Sequence, residues 1–166
     1  MVISLDTAMV AEILIAYIKM STTSKSFKSG FVMTDVTLML GDCLELMKDI
    51  PDGSVDMVLT DPPYGMGFQS NWSKSGPRYD KIKQDDKVDS RWIAEAFRVL
   101  KVGGGFVSFC DWRTSDIWRE KIEGVGFNLN SQVVWNRLHH GMGDLKGAFA
   151  PMHDIIWYAS KGRRIF

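Results

Sequence analysis

The sequence predicts an α/β layered fold, and three observations carry that reading. Between residues 36 and 160, short apolar runs of strand character alternate with stretches of helical period. One such run, V-D-M-V-L-T at residues 55–60, stops abruptly at Asp61-Pro62-Pro63-Tyr64-Gly65. Prolines cannot continue a ladder, so this buried strand ends there and delivers its acid to the rim of a sheet, where open α/β sheets place ligands. Finally, 166 residues with 45% hydrophobic and 24% charged content make one globular domain with a sizeable core.

Taken in order, residues 7–20 (TAMVAEILIAYIKM) read as a helix with Asp6 or Thr7 as N-cap. Its apolar run is broken by Glu12 and is shorter than the ~20 residues of a membrane span. No basic segment or small-residue cleavage site precedes it, as a secretory signal requires. Residues 21–30 (STTSKSFKSG) are a polar linker, and Met33-Thr34-Asp35 is a second natural start. Residues 1–32 are therefore expected to be an N-terminal extension, helix plus linker, ahead of a domain over residues 33–166. The alternative is that this helix packs on the sheet.

The strand at residues 36–40 ends at Gly41-Asp42-Cys43. Residues 43–49 form a short helix with Leu44 and Met47 inward, closed by the Pro51-Asp52-Gly53 turn. After the strand at 55–60, residues 66–87 have no period, and a loop of that length is usually functional. Ser90 caps a helix that turns Ile93, Ala96, Phe97 and Leu100 to one side. Glycines 103–105 lead into a strand at 106–110, and Thr114 caps a helix that stops at Gly124. Strands at 132–135 and 155–160 follow, separated by a loop containing glycine and histidine.

With 20 basic and 20 acidic residues the formal net charge is +0, so a nucleic-acid partner must rest on local patches. Cys43 and Cys110 lie far apart, which argues against a disulfide framework and fits a reducing cytoplasm. Three histidines with no nearby cysteine argue against a metal site.

The tetrad suits chemistry on an amino group attached to an aromatic base. Such a nitrogen is a poor nucleophile because its lone pair is delocalised into the ring. Accepting hydrogen bonds from both amino protons favours the pyramidal, nucleophilic form. Asp61 offers a carboxylate acceptor and the Pro62 carbonyl a second one at a fixed angle, with no competing proline N–H. Tyr64 can stack on the base. The task is positioning plus charge stabilisation rather than prior deprotonation. The plainer reading is that Asp-Pro-Pro marks a turn after a strand.

Five segments together resemble the DNA amino-methyltransferases that use S-adenosylmethionine, in the permuted type that places DPPY ahead of the cofactor loop. They are GDCLELM (41–47), PDGSVDMVLTDPPYG (51–65), RVLKVGG (98–104), VVWNR (133–137) and MHDIIWYASKG (152–162). The resemblance implies a Rossmann-like methyltransferase sheet, with Asp61, Pro62, Pro63 and Tyr64 as catalytic residues acting on a flipped base. It implies that Asp61 lies beside the methionine end of S-adenosyl-L-methionine and Asp42 approaches its adenine. The DPPY spelling leans toward adenine N6 over cytosine N4. Two departures are mild: Val102 stands where proline is usual and Asp154 where glutamate is usual.

A third departure is severe. The family's target-recognition region, cofactor-fold helix and F-x-G-x-G loop follow the strand matching 155–160, and this sequence stops at Phe166. The expectation is an incomplete sheet with the cofactor-loop half and target-recognition region missing at the C-terminus. A central strand would then come from elsewhere, leaving the strand at 36–40 without its neighbour. The chain should be marginal, self-associating or partnered by a complementary C-terminal half. Double-stranded DNA is the expected partner, met by Lys74 and Arg78 in the long loop and by Arg137, His139 and His140 in the later one. A non-catalytic remnant of the fold, and methylation of RNA or of a protein amide, are the rival readings.

Overall fold

A computed structural model describes residues 2–6, 13–19, 35–67, 85–140 and 146–163. Its elements are β1 (Val2–Asp6), β2 (Ile13–Lys19), β3 (Asp35–Gly41), α1 (Cys43–Leu46) with a 3-10 turn over Met47–Asp49, β4 (Val55–Asp61), α2 (Arg91–Val99), β5 (Leu100–Cys110), α3 (Ser115–Val125), β6 (Asn128–Asn136) and β7 (His153–Ser160). The strands form one sheet in the order β3-β2-β1-β4-β5-β7-β6. β1, β4 and β5 are parallel neighbours, whereas β2 and β7 run antiparallel to the strands on either side of them. All of β3, β1, β4, β5 and β6 therefore point the same way.

The amino-terminal segment departs from the sequence expectation. Ile13–Lys19 is a strand, not part of a helix, and it pairs with β3 over its whole length. β1 pairs with β2 on one side and with β4 on the other. The strand at 36–40 thus has a neighbour, contrary to the expectation that it lacks one. The physical reason is that I-L-I-A-Y-I carries β-branched and aromatic residues that suit a sheet as well as a helix. The β1–β2 pair fills the place between β3 and β4, where it closes two ladders that would otherwise be open, and this tertiary context overrides a weak local propensity.

The main core cluster lies on one face of the sheet. Val58, Phe106, Cys110 and Ala159 meet Cys43 and Met47 near α1, Trp92, Ile93, Ala96 and Val99 of α2, and Trp118 and Ile122 of α3 in one cluster. Trp92 stacks on Phe106 at 5.8 Å between ring centroids, and Phe127 meets Phe106 at 4.7 Å and Phe97 edge-on at 4.9 Å. Met57, Leu59, Val107, Phe109 and Tyr158, on the opposite face by register, are only half-buried. Among the described residues, all three helices contribute to the single cluster on the first face.

Smaller corrections have local causes. Glycines 103–105 lie inside β5, which begins at Leu100 directly after α2. A Cβ at Gly104 would sit 2.8 Å from the Lys101 carbonyl and 3.2 Å from that of Asp56, so the strand passes there only as glycine. α3 continues past Gly124 to Val125 and is closed by Gly126, which adopts φ +108°. α2 receives no cap from the Ser90 side chain; the Asp89 carboxylate accepts the Arg91 N–H at 3.1 Å instead. Thr114 precedes α3 in the N-cap place, but its hydroxyl makes no capping bond either.

Arg98 joins α2 to the turn before β4. Its guanidinium donates to the Met47 carbonyl at 2.7 Å and the Ile50 carbonyl at 2.9 Å, and it pairs with Glu95 and Asp52. Charged hydrogen bonds of this kind are worth ~1.5–3 kcal/mol where the acceptors have no replacement. Arg98→Ala is expected to cost roughly 2 kcal/mol in urea denaturation. Removing residues 1–19 is expected to lower the urea midpoint and to promote association through the opened edges, read by light scattering; an unchanged midpoint would show that β1 and β2 contribute nothing to the fold.

Candidate active site

Strand direction assembles the site. The parallel set brings the ends of β3, β4, β5 and β6 to one edge, and β7, running the other way, brings its start there. That edge therefore collects Asp42, the segment from Asp61 to Gly67, Asp111 to Thr114, Arg137 to His140, and Asp154. β1 ends level with Asp61. β1 and β4 are adjacent parallel strands whose ends meet here, with β2 and β3 on one side and β5 on the other, so Asp61 stands at the carboxyl end of the central parallel strands, where open α/β sheets bind ligands.

β4 holds the tetrad in place. Val55, Val58 and Thr60 are buried, the last residue of the strand is Asp61, and Pro62 is buried immediately after it. The missing proline N–H groups end the ladder on that residue. Asp61 is exposed, and Tyr64 is half-buried with its hydroxyl donating to Asp61 Oδ1 at 2.5 Å. Burial first, then that hydrogen bond, then the charges of Asp61 and Asp154, push the Tyr64 hydroxyl far above its ordinary range, so it stays a donor. An amine entering beside Asp61 has to displace this bond or use the other carboxylate oxygen.

Around the tetrad stand residues that the sequence did not single out. Arg113 lies between the Asp111 carboxylate, 2.7 Å from its Nε, and the Met66 sulfur, 2.8 Å from Nη2. Burial alone would push the Asp111 carboxyl up, but the Arg113 side-chain and backbone bonds, with the charges of Arg113 and Arg137, hold it below its ordinary value. Trp112 is 57% exposed next to them. No periodicity or motif marks these positions, since they meet the tetrad only through strand pairing.

The remaining candidates are placed as follows. Asp42 follows β3, is exposed, and caps α1 by accepting the Leu44 N–H at 2.8 Å. Arg137 lies 3.4 Å from Asp154, so its charge is shared with that carboxylate. His139 and His140 are exposed on the same edge. Lys74 and Arg78 lie outside the described residues. No group of three His, Cys, Asp or Glu side chains that could hold a metal occurs among the described residues.

With β1, β4 and β5 parallel at its centre and β7 inserted antiparallel, the sheet is of the Rossmann-like α/β kind, and it carries an acid-proline-proline-tyrosine rim at the end of its central strand. Residues 55–165 match the N6/N4 methyltransferase family model, described as a DNA methylase, and the chain belongs to that family. It is 30% identical over 128 residues to the methylase YubD of Escherichia coli (strain K12), covering 74% of this chain and 51% of YubD. It is 26% identical over 133 residues to the type II methyltransferase M.HpaI of Haemophilus parainfluenzae, covering 80% of this chain and 41% of that one. Among solved structures, the M1.HpyAVI–SAM complex superposes with a TM-score of 0.53 at 19% identity, over 75% of this chain and 54% of that chain. The cytosine-N4-specific PvuII DNA methyltransferase gives 0.54 at 19% identity, over 75% and 48%. The chain thus spans about half the length of the relatives it matches.

Both cysteines are free and buried. Burial, then the charges of Asp42 and Asp89, push the Cys43 thiol from 9.0 to about 11; burial, with Asp111 adding to it, takes Cys110 from 9.0 to about 11 against an opposing Ser115 hydrogen bond. The folded state holds these protons more tightly than the unfolded state does. Stability is therefore expected to fall as pH rises from about 9 to about 11. Urea titrations across that window check the sign, and replacing both cysteines with serine should flatten the slope.

Proposed function

We propose that this chain carries the methyl-acceptor side of an S-adenosyl-L-methionine-dependent DNA methyltransferase acting on adenine N6 of a base flipped out of the duplex. The observation that carries the reading is Asp61-Pro62-Pro63-Tyr64 at the exposed end of β4, with the Tyr64 hydroxyl on the Asp61 carboxylate. Asp61 and the Pro62 carbonyl accept the two amino protons, which turns the nitrogen lone pair out of the ring plane. Tyr64 supports the base by its ring. As the N–C bond forms, the nitrogen becomes cationic, and the Asp61 carboxylate stabilises that charge. The donor's S–C bond would break as the N–C bond forms, its electron pair staying on sulfur, and the surplus proton of the methylated amine passes to solvent beside the exposed Asp61.

The donor set tests whether S-adenosyl-L-methionine fits this edge. Asp42 and Asp61 are exposed acceptors on the same edge of the sheet, at the ends of β3 and β4, suited to the hydroxyl, amine and ammonium groups of that molecule. When bound, it supplies an electrophilic methyl group. Among the described residues, neither the junction from β3 to α1 nor that from β5 to α3 is a glycine-rich loop, so the fit rests on these carboxylates. Asp61 contributes to both sides of the reaction. Arg137, His139 and His140 share the edge and meet DNA phosphates in this reading, with Lys74 and Arg78. Similarity to type II methyltransferases supports a restriction–modification setting.

Cytosine N4 is the second reading, favoured by the likeness to the cytosine-N4-specific PvuII enzyme. Labelled cofactor, duplex DNA and chromatography of the digested nucleosides separate the two. N6-methyladenine is the expected product; N4-methylcytosine moves the assignment to the second reading. Asp61→Ala is expected to lower incorporation by at least ~100-fold with the fold retained. Absence of label in DNA, RNA and protein alike would favour a non-catalytic member of the fold.

A further inference from the structure

Immediately after the tetrad the chain makes a turn that only glycine permits. Gly65 adopts φ +78°, and a Cβ there would lie 2.5 Å from the Val88 nitrogen and 2.8 Å from the Lys87 carbonyl carbon. These are backbone atoms, so the approach of the two segments admits no side chain. What draws them together is Asp85. Its residue is 3% exposed, and its Oδ1 accepts the N–H of Gly65 at 2.9 Å and of Met66 at 3.3 Å. Its own carbonyl accepts the Gly67 N–H as well. A carboxylate is costly to bury unless hydrogen bonds compensate it, and convergent backbone amides do so with charge assistance.

We propose that Asp85 is a positioning residue for the tetrad: by gripping the amides of Gly65 and Met66 it fixes the backbone next to Tyr64 and so aims the Tyr64 ring and hydroxyl at Asp61. The proposal rests on the methyltransferase reading for its functional meaning. The clasp itself stands on geometry alone. Asp85 touches neither the reacting atoms nor Asp61 in this account; it acts through three residues of backbone. Small displacements of a group that orients a substrate cost rate steeply, which is why a remote carboxylate has leverage here.

The test uses the full chain with Asp85→Ala and Asp85→Asn. Asparagine keeps an oxygen that can accept both N–H groups, so rescue by Asn separates the clasp from the charge, and Asp85→Leu, which keeps the bulk without the acceptor, should behave like Ala. Amide hydrogen exchange is expected to show Gly65 and Met66 protected in wild type, at least ~10-fold faster in Asp85→Ala and largely restored in Asp85→Asn. The ring resonances of Tyr64, assigned with a Tyr64→Phe sample, should shift in Ala and return in Asn. In methyl transfer, kcat should drop at least ~10-fold in Ala with KM for the cofactor unchanged, and recover in Asn.

If the wild-type amides exchange as freely as an unfolded peptide, the clasp is overturned, and this holds even if Asp85→Ala fails to fold. If exchange accelerates in Ala while the Tyr64 resonances stay put, or kcat stays at the wild-type value, the positioning role is overturned and the methyltransferase reading survives. If wild type transfers no methyl group, that reading fails, and the Tyr64 resonances still decide whether Asp85 positions the tetrad.

Discussion

The site depends on β4 being held at the centre of the sheet and released at one defined residue. Hydrogen-bonded ladders on both sides leave the strand no freedom of register, because a slip by one residue would turn Val58 out of the core and an outward side chain in. The two prolines then end the ladder at Asp61. Burial of Val55 and Val58 thus sets, a few residues further on, where a carboxylate meets solvent. The acid is exposed because its strand is not.

A second consequence of the strand pairing is that remote segments converge. β5, β6 and β7 are separated in sequence by a helix and a loop, yet their ends at one edge place Asp111, Arg113, Arg137 and Asp154 around the tetrad. Carboxylates and guanidinium groups alternate there and hold one another, as in the contacts of Arg113 with Asp111 and of Arg137 with Asp154. The aromatic cluster of Trp92, Phe106, Trp118 and Phe127 packs the helices onto the body of the sheet behind this edge. The opposite face carries Ile156, which is buried, among half-buried apolar side chains.

Much of this was legible in advance where a segment carries its own punctuation. The strand ending in DPPY, the short helix with Met47 inward before the Pro51 turn, and the helix with Ile93 and Ala96 inward all announce themselves through prolines or period. The misreadings fall where local signals are ambiguous. Ile13–Lys19 has a composition that either helix or strand accepts, and the choice belongs to its neighbours in the sheet. Glycines 103–105 look like a loop but occupy a crowded strand. Asp85 counts as one more charge in a polar stretch until the fold buries it against Gly65.

By itself, then, the sequence marked the candidate site: an acid, two prolines and a tyrosine at the end of an apolar run, with flanking segments that resemble the DNA amino-methyltransferases. These are local facts, set by residue type and by hydrogen bonds within a few positions. Tertiary structure decided which strands adjoin which, hence that residues 1–19 contribute two strands of the sheet and that Asp111, Arg113 and Asp154 share an edge with Asp61. Pairing between distant strands is governed by open ladders and burial across the whole domain, and no window of sequence contains that information.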